Sequence, residues 1–148
     1  MNETVEKLSH VEHVLKRPDS YVGSTSLVAE EYWLLNADAS RFEKRIVRYS
    51  PALLKIFDEV LVNAIDRNSL FPKEVTSIKV DVDTSTGAIT IENNGPLGGV
   101  AVVENGKENA YNPELVFGHL LTSTNYDDSQ KRIVGGRNGY GAKLANIY

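Results

Sequence analysis

Helix-period and strand-period segments share one chain of 148 residues, and together they predict an α+β domain. Two segments carry that prediction. From Pro51, the apolar positions Leu53, Leu54, Phe57, Val60, Leu61, Ala64 and Ile65 make a broad core-facing stripe. Further on, Ile78, Val80 and Val82 alternate with polar residues, a turn follows through Thr84 to Gly87, and Ile89 and Ile91 alternate again. That is the pattern of a β-hairpin. The length suits one domain with a real core and is short for two.

Each element has a local reason. Over residues 4–16, Val5, Leu8, Val11, Val14 and Leu15 recur near helical period until Lys16, Arg17 and Pro18 stop them, which predicts an amphipathic opening helix. Residues 32–35 and 42–49 read as extended, the second with basic residues flanking Ile46 and Val47. Pro51 is a fitting first residue for the long helix, which should end near Ser69, before Pro72. After the hairpin exits at Asn93, residues 94–112 read as one long loop rich in Gly and Asn, and loops of that length are often functional. Pro113 starts a short apolar helix to Leu121. The polar run TSTNYDDSQKR leads into a glycine-rich stretch, and residues 142–148 read as helical.

Bulk properties exclude several classes. The formal charge of −4 leaves no global basic surface for nonspecific binding to DNA. The chain has no cysteine, hence no disulfide, thiolate metal site or cysteine nucleophile. No apolar run approaches the ~18 residues of a membrane span. The opening residues lack the apolar centre of a signal peptide, and no internal repeat or low-complexity run is visible.

The stretch 135–144, GGRNGYGAKL, has the chemistry of a phosphate cradle. Glycines let several backbone N–H groups converge on one anion. A helix starting near Gly139 would add unpaired N–H groups and the positive end of its dipole, while Arg137 and Lys143 supply full charges. It is not a Walker A loop, because Lys143 lies between Ala142 and Leu144, and it lacks the third glycine or alanine of the dinucleotide fingerprint. Taken alone, it reads equally as an exposed glycine-rich turn.

A second constellation lies in the long helix. Glu59, Asn63 and Asp66 are spaced i, i+4 and i+7, which puts two carboxylates and an amide on one narrow strip. Magnesium prefers oxygen ligands and keeps several waters, so Asn63 with nucleotide phosphates could complete its shell. Glu59, one turn away, could orient and deprotonate water for in-line attack on a γ-phosphate. On its own the strip is also what a solvated polar face looks like. Asn93 at a strand end and the hydroxyl-rich run Thr122-Ser123-Thr124-Asn125 supply further groups suited to a nucleotide. His10, His13 and His119 read as surface or packing residues.

The segments IFDEVLVNAIDRN at 56–68, ENNG at 92–95, FGHLLTSTNYDD at 117–128 and GGRNGYGAKLANI at 135–147 resemble, in order and spacing, the ATPase region of type IIA DNA topoisomerases. The resemblance points to the eukaryotic and large-virus branch, within the GHKL group of ATPases, and the opening HVEHVLKRPDSYVGS at 10–24 shares it. It implies the GHKL (Bergerat) two-layer α/β sandwich with a mixed sheet, C-terminally incomplete. Residues 1–24 would be an N-terminal dimerisation arm and 25–148 a partial ATPase domain. It implies Glu59 as general base for ATP hydrolysis and Asn63 as the Mg2+ ligand. Asn93 would recognise adenine, and Ser123, Thr124 and Asn125 would contact ribose and phosphate. Gly136, Arg137, Asn138, Gly139, Tyr140, Gly141, Ala142 and Lys143 would wrap the triphosphate, with Asp66 supporting the site from behind.

By the same resemblance the cofactors would be ATP and Mg2+. The partners would be a second copy through the arm and double-stranded DNA through the rest of the enzyme, with no membrane. The location would be the nucleus, or for a viral protein the host nucleus or a cytoplasmic replication site. Two departures stand out. Gly95 is followed by PLGGVAVV where the family reads GxGIP, a loop about two residues longer and within ordinary loop tolerance. The family's transducer lysine, TOPRIM domain and DNA-cleaving tyrosine are not matched within these residues. The alternative is a truncated or degenerate nucleotide-binding dimerisation module without catalysis of its own.

Overall fold

The computed structural model describes residues 5–95, 102–104, 109–122, 134–135 and 139–148. By internal contacts the chain divides into two compact units, Met1–Lys55 and Ile56–Tyr148.

In the first unit, helix α1 spans His10–Lys16 rather than the whole of 4–16. The reason is a capping box. Ser9 Oγ accepts from the Glu12 N–H, and the Glu12 carboxylate accepts the Ser9 N–H at 2.8 Å, so the helix starts there and Val5 and Leu8 precede it. Val14 is its buried residue. The chain leaves α1 at Arg17 and makes one 3₁₀ turn over Pro18–Ser20. Strands β1 (Val28–Leu35) and β2 (Phe42–Tyr49) pair antiparallel from Val28 opposite Tyr49 to Leu35 opposite Phe42. β1 begins four residues before the expected Tyr32. Ala29, Glu30 and Glu31 are poor strand formers, and their pairing with Arg48, Val47 and Ile46 holds them extended.

Helix α2 runs Pro51–Leu70, within a residue of expectation. Its stripe is only partly covered: Ala52 and Ala64 are buried, whereas Leu53, Leu54 and Ile65 are exposed.

In the second unit, β3 (Ile78–Asp83) and β4 (Ala88–Asn93) form the expected antiparallel hairpin, with Ile78 opposite Asn93 and Val82 opposite Ile89. Asp83 ties its turn by accepting from Ser85 and Thr86, and Gly87 takes φ +75°. The stretch 94–112 is not one loop. It contains a second small antiparallel hairpin, β5 (Val102–Glu104) with β6 (Asn109–Tyr111). Its alternating residues are too few for the sequence pattern to reveal. Thus the described strands pair as three two-stranded sheets.

Helix α3 is Asn112–Gly118, shorter than the span to Leu121. Beyond Gly118, Thr122 Oγ1 shares its one proton between the carbonyls of Leu115 at 2.6 Å and His119 at 2.9 Å, groups a continued helix would have used. Helix α4 covers Gly141–Ile147 and buries Ala142, Lys143 and Leu144. With Ala64, Val75 and Ala110 these make the core of this unit.

Candidate functional site

The polar strip of α2 lies against both described ends of the glycine stretch. At one end, Asp66 Oδ1 accepts the Gly135 N–H at 2.8 Å, and a Cβ at Gly135 would lie 3.0 Å from Val62 Cγ1. At the other end, the Glu59 carboxylate packs against Gly141, the first residue of α4. A Cβ there would collide with Glu59 Oε2 and sit 3.2 Å from its Cδ. Residues 69 positions apart or more in sequence therefore meet because the one at the loop has no side chain. The i, i+4, i+7 spacing places the strip on one face of the helix, and the fold brings Gly135 and Gly141 to that face.

Asn63 lies between the two carboxylates. Its Nδ2 donates to the Glu59 carbonyl at 2.7 Å, so Oδ1 is the side-chain atom suited to act as an acceptor or cation ligand. Within the glycine stretch, Gly139 has φ +65°, a conformation glycine adopts at little cost. Tyr140 is the residue ahead of α4, and its side chain makes no cap.

Lys143 departs from the picture of a solvated cation. It is 6% exposed, and its Nζ donates to the Thr122 carbonyl at 2.8 Å. Burial pushes its ammonium pKa down. One helical turn on, Asn146 Nδ2 donates to the Phe117 carbonyl at 3.1 Å. The two α4 side chains thus hold the end of α3 and the first residue of the hydroxyl run. Ser123, Thr124, Asn125, Gly136, Arg137 and Asn138 lie outside the described residues.

Asn93 closes β4, half-buried, with Nδ2 donating to the Asn94 carbonyl at 3.1 Å. The sequence pattern assigns no role to Asn68 or Asn146, and Asn94 enters it only within ENNG at 92–95 and as the start of the loop rich in Gly and Asn. A lone amide has no spacing signature, so only the fold reveals what each holds.

Comparison with known proteins places the chain by sequence and fold. No family model matches the chain. It is 47% identical over 148 residues to DNA topoisomerase 2 of Penicillium chrysogenum, covering 100% of this chain and 9% of that protein. The fold superimposes on the ATPase region of Saccharomyces cerevisiae topoisomerase II with TM-score 0.87 and 44% identity, covering 96% of this chain and 37% of the other. By sequence and fold the chain belongs with the ATPase region of the type II DNA topoisomerases. The ATPase and transducer domains of DNA topoisomerase II from Balamuthia mandrillaris superimpose similarly, with TM-score 0.89, 48% identity and coverage of 97% and 36%. The α+β class and the topoisomerase II ATPase fold expected from the motifs are therefore found. The chain spans about a tenth of the curated topoisomerase 2 and little more than a third of the solved ATPase chains.

Proposed function

We propose that this chain binds ATP with magnesium and hydrolyses it, as the N-terminal ATPase segment of a type II topoisomerase. The observation that carries the reading is the seating of Gly135 on Asp66 and of Gly141 on Glu59, which brings these two glycines to the strip that would handle metal and water. Asn63 would offer Oδ1 to a magnesium ion whose remaining ligands are water and phosphate oxygens. Glu59 would take a proton from the attacking water. The other assignments follow the family: Asn93 toward adenine, Ser123, Thr124 and Asn125 toward ribose and phosphate, and 136–143 around the triphosphate. Within that set, the buried Lys143 also steadies the start of the hydroxyl run through Thr122.

In the complete enzyme the hydrolysis would drive passage of duplex DNA through a double-strand break. Residues 1–24 would serve as an arm to a second copy, 25–148 as part of the ATPase domain, and the place of action would be the nucleus or a viral replication site. Among the described residues no helix is long and apolar enough to cross a membrane.

The deciding experiment compares the purified chain with Glu59→Ala for ATP binding and turnover. The expected outcome is retained binding with hydrolysis lowered ~10²- to 10⁴-fold, the usual cost of losing a general base. Equal turnover in both proteins would remove Glu59 from the mechanism. Binding without turnover in either would favour the alternative of a nucleotide-holding dimerisation module.

A further inference from the structure

The side chain of Asn94 grips the segment 74–77. Its Oδ1 accepts the Thr76 N–H at 3.0 Å, the Ser77 N–H at 2.8 Å and the Ser77 hydroxyl at 3.1 Å. Its Nδ2 donates to the Glu74 carbonyl at 3.2 Å and to Thr76 Oγ1 at 3.0 Å. Both amide protons and the carbonyl oxygen are therefore used, the full capacity of an asparagine side chain. Next to it, Gly95 has φ +106°, and a Cβ there would stand 2.6 Å from Val75 Cγ2. Val75 is fully buried, and its carbonyl accepts from Asn68 Nδ2, in the last turn of α2, at 2.6 Å.

A continuous connection follows. Asn68 ties α2 to Val75, and Asn94 ties the residues on either side of Val75 to the exit of β4. At one end of it lie Glu59, Asn63 and Asp66, and at the other lies Asn93. The connection runs through side-chain amides and one buried valine, with no atom in the metal or water end of the site.

We propose that Asn94 is a positioning residue, anchored on α2 by Asn68, that fixes the span between the base-recognising end of the nucleotide site at Asn93 and the metal and water end on α2. This rests on the proposed function. A ligand that bridges two subsites gains affinity only when their spacing matches its own, because the second contact is then made within one complex. Loss of the clasp should therefore harm the whole nucleotide more than either half of it.

The test measures binding of Mg–ATP, adenosine and Mg–tripolyphosphate by the full chain and by Asn94→Ala, Asn94→Asp and Asn93→Ala. Asn94→Ala should weaken Mg–ATP by ~10-fold or more, the scale of a lost bridging advantage, with adenosine and tripolyphosphate bound as by the unaltered chain. Asn94→Asp keeps the acceptor oxygen and loses both donations, so it should fall between. Asn93→Ala should weaken adenosine itself. Independently of any ligand, amide exchange at Thr76 and Ser77 should quicken in Asn94→Ala and stay slow in Asn94→Asp.

Unchanged Mg–ATP affinity in Asn94→Ala, equal loss for all three ligands, or unaltered exchange at Thr76 and Ser77 would overturn the positioning role. Should Asn94→Ala fail to fold, Asn94→Asp and Asn68→Ala carry the same comparison. An unaltered chain that binds no Mg–ATP overturns the proposed function, and the positioning role with it. Normal Mg–ATP binding by the unaltered chain and by Asn94→Ala overturns the positioning role alone.

Discussion

Gly141 does two things that a single-letter pattern cannot separate. Its lack of a side chain lets α4 begin against the Glu59 carboxylate, and it also belongs to a stretch suited to wrapping an anion. The structure makes the first of these concrete. Gly141→Ala should displace the Glu59 side chain or the start of α4. ATP turnover by the purified variant is then expected to fall with the helix content unchanged, checked by a coupled phosphate assay and circular dichroism. Turnover equal to that of the unaltered chain would mean that the contact has no part in the chemistry.

Asp83 gives a separate prediction about pH. The Ser85 and then the Thr86 side chain, with their N–H groups, hold its carboxyl from the ordinary 3.8 down to about 2. A folded-state pKa below the unfolded one means that the native state favours the ionised form. Its contribution is present above the unfolded value and is lost as pH falls from 3.8 toward about 2. The hairpin turn should therefore loosen across that window, seen as faster amide exchange at Ser85 and Thr86. Asp83→Asn should flatten the dependence.

At the scale of elements, the corner between α3 and α4 is held by side chains of one helix on the carbonyls of the other. Lys143 and Asn146 take the carbonyls of Thr122 and Phe117, while Thr122 itself returns to Leu115 and His119. Thr122→Val removes the Thr122 donations and keeps the shape. It is expected to cost about 0.5–1.5 kcal/mol, since the one hydroxyl proton that two half-buried carbonyls share is lost. A denaturant midpoint measurement would show it, and an unchanged midpoint would mean that water replaces the hydroxyl.

Elements with strong periodicity or a clear start signal were readable from residues alone. α2 and the β3–β4 hairpin fall within a residue or two of expectation, because a long stripe and a clean alternation each have one solution. The start of α1 lies later than the apolar recurrence suggests, although its signal, Ser9 followed by Glu12, is present in the sequence. The apolar recurrence of Val5 and Leu8 outweighed it, yet a cap decides where a short helix begins. The β5–β6 hairpin had no such signal. In the site, the strip on α2 could be deduced from spacing, whereas the seating of Gly135 and Gly141 on it depends on tertiary contacts no local pattern encodes.

For the molecule as a whole, the unusual property is the apolar surface left in view. Val80, Val82 and Ile89 share one face of the β3–β4 hairpin and are 42%, 57% and 44% exposed. A sheet face of this kind is a docking and aggregation liability in isolation. The purified chain should bind a hydrophobic dye strongly, and Val82→Lys should reduce both dye binding and light scattering on concentration. No change in either would mean that the face is covered in solution.

The turn between those strands points the other way. Nothing lies within 4 Å of where a Cβ at Gly87 would be, and Thr84 is exposed beside it. The turn stands about 20 Å from Asn93 along β4, taking ~3.4 Å per residue from Gly87. Because the chain contains no cysteine, Thr84→Cys would introduce its single thiol. A fluorophore attached there would report on the far end of the hairpin as nucleotide is added, through one covalent attachment that touches neither the clasp at Asn94 nor the strip on α2.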